Sequence, residues 1–353
     1  MNSTFIIEVF VIILGLFFSG NDGKDKHRKT YIIIISALLI IESGFRAKTV
    51  GPDTGNYYML LERCKNVSWG GIFSNTMEVR DYGFPILVKV FQLISGDYNF
   101  FLTIAALWFF IPLSIILYKY SSNILQLVFS FTLYLALFHI IALSALRQQI
   151  AMGFSFLAFL LFNRNKFVYG SLLLLLGSTI HVSLLLFFSV PIIYYFVNCK
   201  LYKTIHLVTL LSVYVIYLSA RFLVGLMSSS LNDDYYMSYT ESEGSGAVTY
   251  IVLMILLSIF CYFAINQKYI TSNQTLSLFY VNLPLLTFFV PLISLDGAMI
   301  RMGQYFTVYM MLLVPYAIDF FMGKKYRSGF YFIMITILVV YITRSTMEYE
   351  FCF

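Results

Sequence analysis

YNFFLTIAALWFFIPLSIILY, residues 98–118, passes from Asp97 to Lys119 without one charged side chain. A helix that crosses the ~30 Å hydrocarbon core of a bilayer needs about 20 predominantly apolar residues. This run supplies them and keeps no polar face for water, so it reads as a crossing helix, not as the amphipathic helix of a soluble core. Comparable stretches recur near 3–19, 30–45, 123–141, 146–162, 167–180, 182–197, 204–226, 247–265, 275–293, 303–322 and 328–343. The composition agrees. Of 353 residues, 60% are hydrophobic and 11% charged, with a mean hydropathy of +0.82, whereas a soluble domain carries about 25% charged residues. Aromatics reach 19%, as expected where amphipathic rings sit at headgroup level. The expected fold is all-α: a polytopic integral membrane protein of about 12 transmembrane helices, with 1–353 as a single transmembrane domain.

No basic residue precedes the first run, and the cluster Lys24-Asp25-Lys26-His27-Arg28-Lys29 follows it, so a retained helix is expected and not a cleaved signal. Placing that cluster in the cytoplasm and alternating sides sorts every charged loop. The inner side receives 13 basic and three acidic residues, the outer side ten basic and 13 acidic ones. Short loops rich in Lys and Arg stay inside, so both termini face out. Residues 82–95 are apolar but short, and Lys89 and Gln92 interrupt them; they are expected to form an interfacial or re-entrant helix on the outer face. Were they to cross, the cytoplasmic loops after residue 97 would hold four basic residues instead of nine. That helix lies within a large outer loop, 45–97. A second outer loop, 227–246, is acidic and carries Tyr235, Tyr236 and Tyr239, rings suited to stacking on sugars or to an ordinary interfacial belt. No internal repeat supports an inverted-repeat transporter. The net charge of +6 does not point to nucleic acid, and four scattered cysteines without a CxxC spacing make neither a zinc site nor a disulfide framework.

Charges in or beside the spans are the candidates for chemistry. Arg46, Arg221 and Arg344 fall at outer C-terminal ends of helices, where the dipole favours a cation and capping or snorkelling accounts for them. Arg147 and Arg301 instead open helices that start at the outer face and run inward, where a cation needs an anion. An arginine together with N-terminal N–H groups makes a phosphate or carboxylate site; a salt bridge to an outer acid such as Asp53 or Glu78 is the alternative. His181 joins two arms, 167–180 and 182–197, of about 21 and 24 Å, both shorter than the hydrocarbon core. Its turn should therefore lie below the outer surface, in the floor of a cavity. There an imidazole can take a proton, hydrogen-bond a substrate, or satisfy a backbone carbonyl. His139, near the outer end of its helix, ranks lower. Glu42, Asp53, Glu78 and Asp81 complete the outer acids; paired carboxylates can do acid–base work on sugars.

Four stretches, in order, resemble a known family. Phe45-Arg46 followed by Val50-Gly51-Pro52-Asp53-Thr54-Gly55-Asn56-Tyr57-Tyr58 resembles the outer-loop signature of the EpsG-like group of Wzy-type polysaccharide polymerases. Tyr82-Gly83-Phe84 behind Arg80 is similar to the family's lead into a short apolar helix. Leu146-Arg147-Gln148-Gln149-Ile150-Ala151 resembles its Arg-Gln helix start, and Ile180-His181-Val182-Ser183 its buried His-x-Ser turn. One departure is Val79-Arg80-Asp81-Tyr82, where the pattern would place a Glu before the aromatic–Gly pair; the resemblance therefore gives Asp81 no acid role.

The resemblance implies a GT-C-like membrane glycosyltransferase in the bacterial plasma membrane, with its active site facing out. It implies transfer of a glycan from one undecaprenyl-diphosphate carrier to the sugar of another, without metal, cofactor or nucleotide sugar. Partners would be the lipid-linked donor and acceptor, the bilayer, and a chain-length regulator and a flippase. Arg147 and Arg301 would hold the diphosphate with Arg46 assisting, and His181 would activate or orient the acceptor hydroxyl. Asp53 and Thr54 would bind sugar or brace Arg46, with Tyr57, Arg80 and Gln148 completing the substrate-binding set. Other readings stay open. A glycan ligase would look the same from sequence, and an acyltransferase would place His and Asp at a cytoplasmic cavity. A transporter or flippase would need ionisable residues near the midplane, for which Glu8 and Lys89 are the only hints.

Overall fold

The computed structural model describes residues 3–19, 25–74, 79, 81–198, 202–231, 248–264, 274–294, 300–343 and 352. Among these the regular structure is helical. Every apolar stretch picked out from the sequence carries helix, and two helices, Tyr98–Tyr120 and Lys325–Thr343, are long and apolar enough to cross a bilayer unaided. Other apolar helices run 10–17 residues. The chain forms two compact units, Met1–Leu185 with Met322–Phe353, and Leu186–Phe321.

The first unit opens with α1 (Ser3–Ser19) and α2 (Asp25–Gly44). Three short helices follow, α3 (Thr54–Asn66), α4 (Trp69–Phe73) and α5 (Gly83–Gln92). Then come α6 (Tyr98–Tyr120), α7 (Ile124–Leu137), α8 (His139–Leu143), α9 (Leu146–Phe162) and α10 (Phe167–Ser178). Helix starts have local causes. Asp97 accepts from Asn99 N (2.7 Å) at the head of α6, and Asn123 from Gln126 N (2.9 Å) at the head of α7, as N-caps do. α9 ends in a Schellman motif: Asn165 sits at φ 58°, its N–H bonds to Phe162 O (3.0 Å), and Lys166 N–H bonds to Leu161 O (2.9 Å).

α2 packs along α6, α6 along α9 and α9 along α10, while α1 and the helix Lys324–Thr343 pack on α7. The outward faces are apolar. α10 buries Gly170, Leu174 and Gly177 but exposes Val168, Tyr169, Leu172, Leu175 and Leu176. Contiguous apolar surface on that scale belongs against lipid.

Helix ends in this unit sort into two layers. At one, Arg28 donates to the carbonyls of Tyr118 (2.6 Å) and Ser121, near Lys29 and Lys119 on the same helix ends, and Asn163 meets the Tyr120 hydroxyl. At the other, Asn99 Nδ2 donates to the carbonyls of Gly44 (3.0 Å) and Arg46 (3.1 Å), and Cys352 N–H to Phe45 O (3.0 Å). α5 belongs to this second layer. At about 15 Å it is tied down along its length: Gly83 N–H bonds to Thr179 O (2.9 Å), Lys89 Nζ to Cys64 O (2.8 Å) and Gln92 Nε2 to Leu61 O (2.8 Å). Lys89, which interrupts the apolar pattern in sequence, thus satisfies carbonyls left open at the C-terminal end of α3, and Gln92 adds a bond to Leu61 O one turn earlier.

In the second unit the helix Tyr202–Leu231 and the helix Ser189–Asn198 pack on Gln274–Phe289, and Val248–Ala264 packs on Met310–Phe321. Phe289 and Phe306 stack at 5.1 Å and Phe187 on Phe306 at 6.1 Å. The arm after His181 begins as a 3-10 helix, Val182–Phe188, before turning α-helical; the sequence pattern alone suggested one continuous helix.

Candidate active site

The stretch Val50 to Thr54 acts as a clasp. Gly51 takes φ +85°, a conformation that side chains rarely adopt, and a Cβ there would fall 2.5 Å from Leu143 O. The turn it makes lets Asp53 N–H donate to Ser144 Oγ (3.2 Å) and Thr54 Oγ1 to Leu143 O (3.2 Å). Val50 packs on Leu143, and Tyr98 Oη donates to Thr54 O (3.2 Å). The contacts to Leu143 and Ser144 fall on the break between α8 and α9, where Ala145 (φ −87°, ψ 65°) leaves α9 without a side-chain cap. Polar groups freed by a broken helix must find partners, and the clasp supplies them. The helix start that carries Arg147 is thereby held in place.

A second brace lies behind it. Arg46 is fully buried and donates to the Ser43 carbonyl and to Ser43 Oγ (3.1 Å), which in turn accepts from Gln149 Nε2 (3.2 Å). Glu42 Oε2 and His139 Nε2 lie 2.8 Å apart, both buried. Arg46 therefore caps the last turn of α2, as its helix-end position suggested, but from an enclosed site and not by snorkelling. Gln148 and Thr54 are enclosed as well.

Arg147 leaves the first turn of α9 and places NH1 2.9 Å from Asp81 Oδ2; its side chain is 28% exposed and that of Asp81 6%. The guanidinium lies over the ring of Tyr57 at 5.9 Å, within cation–π range, and Tyr57 is itself buried edge-on against Phe84. From the other side His181, in the turn after α10, brings Nδ1 to 3.6 Å from the same Asp81 oxygen, at ion-pair and not hydrogen-bond distance. Gly83 makes this convergence possible. A Cβ on Gly83 would meet Thr179 Oγ1 at 2.2 Å and the Thr179 carbonyl carbon at 2.7 Å, so only glycine allows α5 to dock on the turn that presents His181. Burial alone pushes the Asp81 carboxyl up, yet the His181 imidazole, the Arg147 guanidinium and the Val182 N–H together hold it below the usual carboxylate range.

Of the residues singled out from sequence, Arg147 and His181 thus converge on one carboxylate, and Tyr57 lies beneath the guanidinium. Asp81, the acid for which the family pattern offered no role, pairs with Arg147; Glu78, one of the acids expected there, lies outside the described residues. The neighbour of Asp81, Gly83, was visible in the sequence, but the docking of Gly83 on Thr179 was not. The bonds from Asp53 N and Thr54 Oγ1 go to the α8–α9 break and not to Arg46. Arg301 lies in the first turn of the helix Ile300–Thr307 in the second unit. Arg80 and Glu78, Arg344 and the 232–247 part of the second outer loop lie outside the described residues. Among the described residues, no three His, Cys, Asp or Glu side chains group as a metal site would require.

A scaffold that is helical throughout its described residues and faced with apolar side chains, carrying an Arg–Asp–His cluster at one end of its first unit, is that of a membrane protein with a charged polar site. The chain belongs to the EpsG family, whose model matches residues 29–353, and with it to the EpsG/Wzy-type polymerases of polysaccharide biosynthesis. Comparison with curated proteins and with solved structures returns no match.

Proposed function

We propose that this protein joins lipid-linked oligosaccharide repeat units, moving a glycan from one undecaprenyl-diphosphate carrier onto the sugar of another at the outer face of the bacterial plasma membrane. The acceptor hydroxyl oxygen attacks the anomeric carbon of the donor. The bond from that carbon to the diphosphate breaks, the hydroxyl proton passes to His181, and the diphosphate leaves on its polyprenyl carrier. The observation that carries this reading is the convergence of Arg147 and His181 on Asp81. One carboxylate steadies an imidazole that must accept a proton and orients a guanidinium, a group that carries five N–H donors. A departing diphosphate needs charge stabilisation where the charge develops, and Arg147, 28% exposed, offers it with metal-independent chemistry. Arg301 is assigned to phosphate binding at its own helix start, Arg80 to the sugar chain, and Asp53, Thr54, Gln148 and Arg46 to bracing the Arg147 helix start. About 12 crossings, a flippase that supplies the lipid-linked units and a chain-length regulator belong to the same reading.

The test is polymer formation by purified protein in lipid with a synthetic lipid-linked repeat unit. Arg147→Lys should fail although the charge is kept, because a point charge lacks the bidentate fork. His181→Ala should lose about 10²–10⁴-fold in rate, and His181→Gln should be nearly as slow. Normal polymer length from Arg147→Lys and His181→Gln together would rule the assignment out.

A further inference from the structure

An apolar groove begins one turn below the ion pair. On α9, Ile150 and Phe154 follow Arg147 by three and seven residues and share its helix face. Leu87 and Phe91 of α5 and Ile104 and Trp108 of α6 face them across a space of about 130 Å³, lined by apolar side chains throughout. Phe101 and Trp108, both on its α6 wall, lie about 10 Å apart along the helix axis, so the groove runs inward from the layer that holds Arg147. Its deep end is built by a close approach. Trp108 crosses α9 at Gly153, where a Cβ would lie 2.3 Å from the indole Cδ1, and packs at a tilt against Phe154, ring centroids 4.8 Å apart. Any larger residue at 153 would lift the indole off α9.

We infer that this groove takes the first isoprene units of the lipid-diphosphate's polyprenyl chain while Arg147 holds the diphosphate, an inference that rests on the polymerase reading above. The spacing selects the occupant. Arg147 and Ile150 are separated by about 4.5 Å along the helix axis, room for an apolar chain attached directly to its anionic head. In a diacyl phospholipid a glycerol ester backbone lies between phosphate and acyl chain, and a polar segment would then fall against Ile150 and Leu87. Uncompensated burial of such groups is unfavourable.

The chain has two tryptophans, so Trp69→Phe leaves Trp108 as the reporter in the groove. Titrating geranylgeranyl diphosphate into that protein in phospholipid-free detergent should change Trp108 emission saturably. Geranylgeraniol, which lacks the head, should bind at least about tenfold more weakly. Ile104→Phe, which narrows the groove without touching Arg147, should weaken geranylgeranyl diphosphate about tenfold and leave calorimetric binding of inorganic diphosphate unchanged. Leu87→Phe makes the same test from the opposite wall if the first variant does not fold. An equal Trp108 response to phosphatidylglycerol, or unaltered geranylgeranyl diphosphate binding in the narrowed groove, overturns the inference. The two readings fail separately. If polymer survives both Arg147→Ala and His181→Ala while Ile104→Phe still weakens the prenyl ligand, the polymerase assignment falls and the groove stands. If polymer is lost in that pair and Ile104→Phe binds normally, the groove falls alone.

Discussion

Arg147 and His181 reach Asp81 from opposite walls, one from the first turn of α9 and one from the turn after α10. The sign of the resulting pH dependence is set by the lowered Asp81 pKa. A carboxyl held below its unfolded value of about 4 adds stability that is complete above that value and is lost as pH falls through the lower folded one. Asp81→Asn keeps the shape and removes the charge. In detergent the variant should melt below the wild type at neutral pH, and the gap should shrink as the pH falls below the unfolded value of about 4. A gap that stays constant across that range would mean that Asp81 contributes packing and not charge. At this scale the sequence disclosed the two nitrogen-bearing partners. Arg147 and His181 each sit where helix direction or arm length makes a polar side chain conspicuous. Asp81 does not, because an acid in an outer loop is ordinarily solvated and only its pairing with groups a long way down the chain makes it central.

The segment from Val50 to Thr54 matters as a clasp on the α8–α9 break. Gly51 and Gly55 lie four residues apart and should respond oppositely to alanine. Gly51→Ala meets Leu143 O at 2.5 Å at a positive φ and should destabilise the folded protein by at least about 1 kcal/mol. Gly55, inside α3, has nothing nearer than Lys48 O at 3.9 Å, so Gly55→Ala should be neutral or stabilising by up to about 1 kcal/mol. Thermal melts of the two variants in one detergent check both, and equal destabilisation would show that the clasp is not what makes position 51 special. A motif of this kind is recognisable in sequence, but whether its polar groups meet a ligand or another loop is not. From sequence Thr54 is as fit to bind sugar as to brace Arg46; its hydroxyl bond to Leu143 O is set by the packing of α8 and α9.

Across the whole chain, the basic loops and the outer elements of the first unit occupy opposite helix ends. Phe45 and Cys352 share one of those ends through a backbone hydrogen bond of 3.0 Å. A chain that leaves residue 45 and returns to the same side crosses an even number of times, as the proposed ten crossings after residue 97 do with α5 left at the interface. In a cysteine-free background, Ser74→Cys and Lys166→Cys, both at exposed positions, should therefore differ toward an impermeant thiol reagent. Ser74→Cys should label in intact cells and Lys166→Cys only after permeabilisation. Labelling of both, or of the second alone, would invert or break the topology.

Helix content, the apolar outward faces and the distribution of basic loops follow from the sequence alone. Each depends on local runs of side-chain type and on the cost of placing charge in hydrocarbon. Helix interruptions were less legible. The breaks at Phe138 and in 308–309, and the 3-10 start after His181, depend on what packs alongside and not on the residues that break. The site itself belongs to the tertiary structure. Asp81 meets Arg147 and His181 because Gly83 has no side chain to keep α5 away from Thr179. Bringing together groups separated by most of a hundred residues is a property of packing that no local pattern encodes.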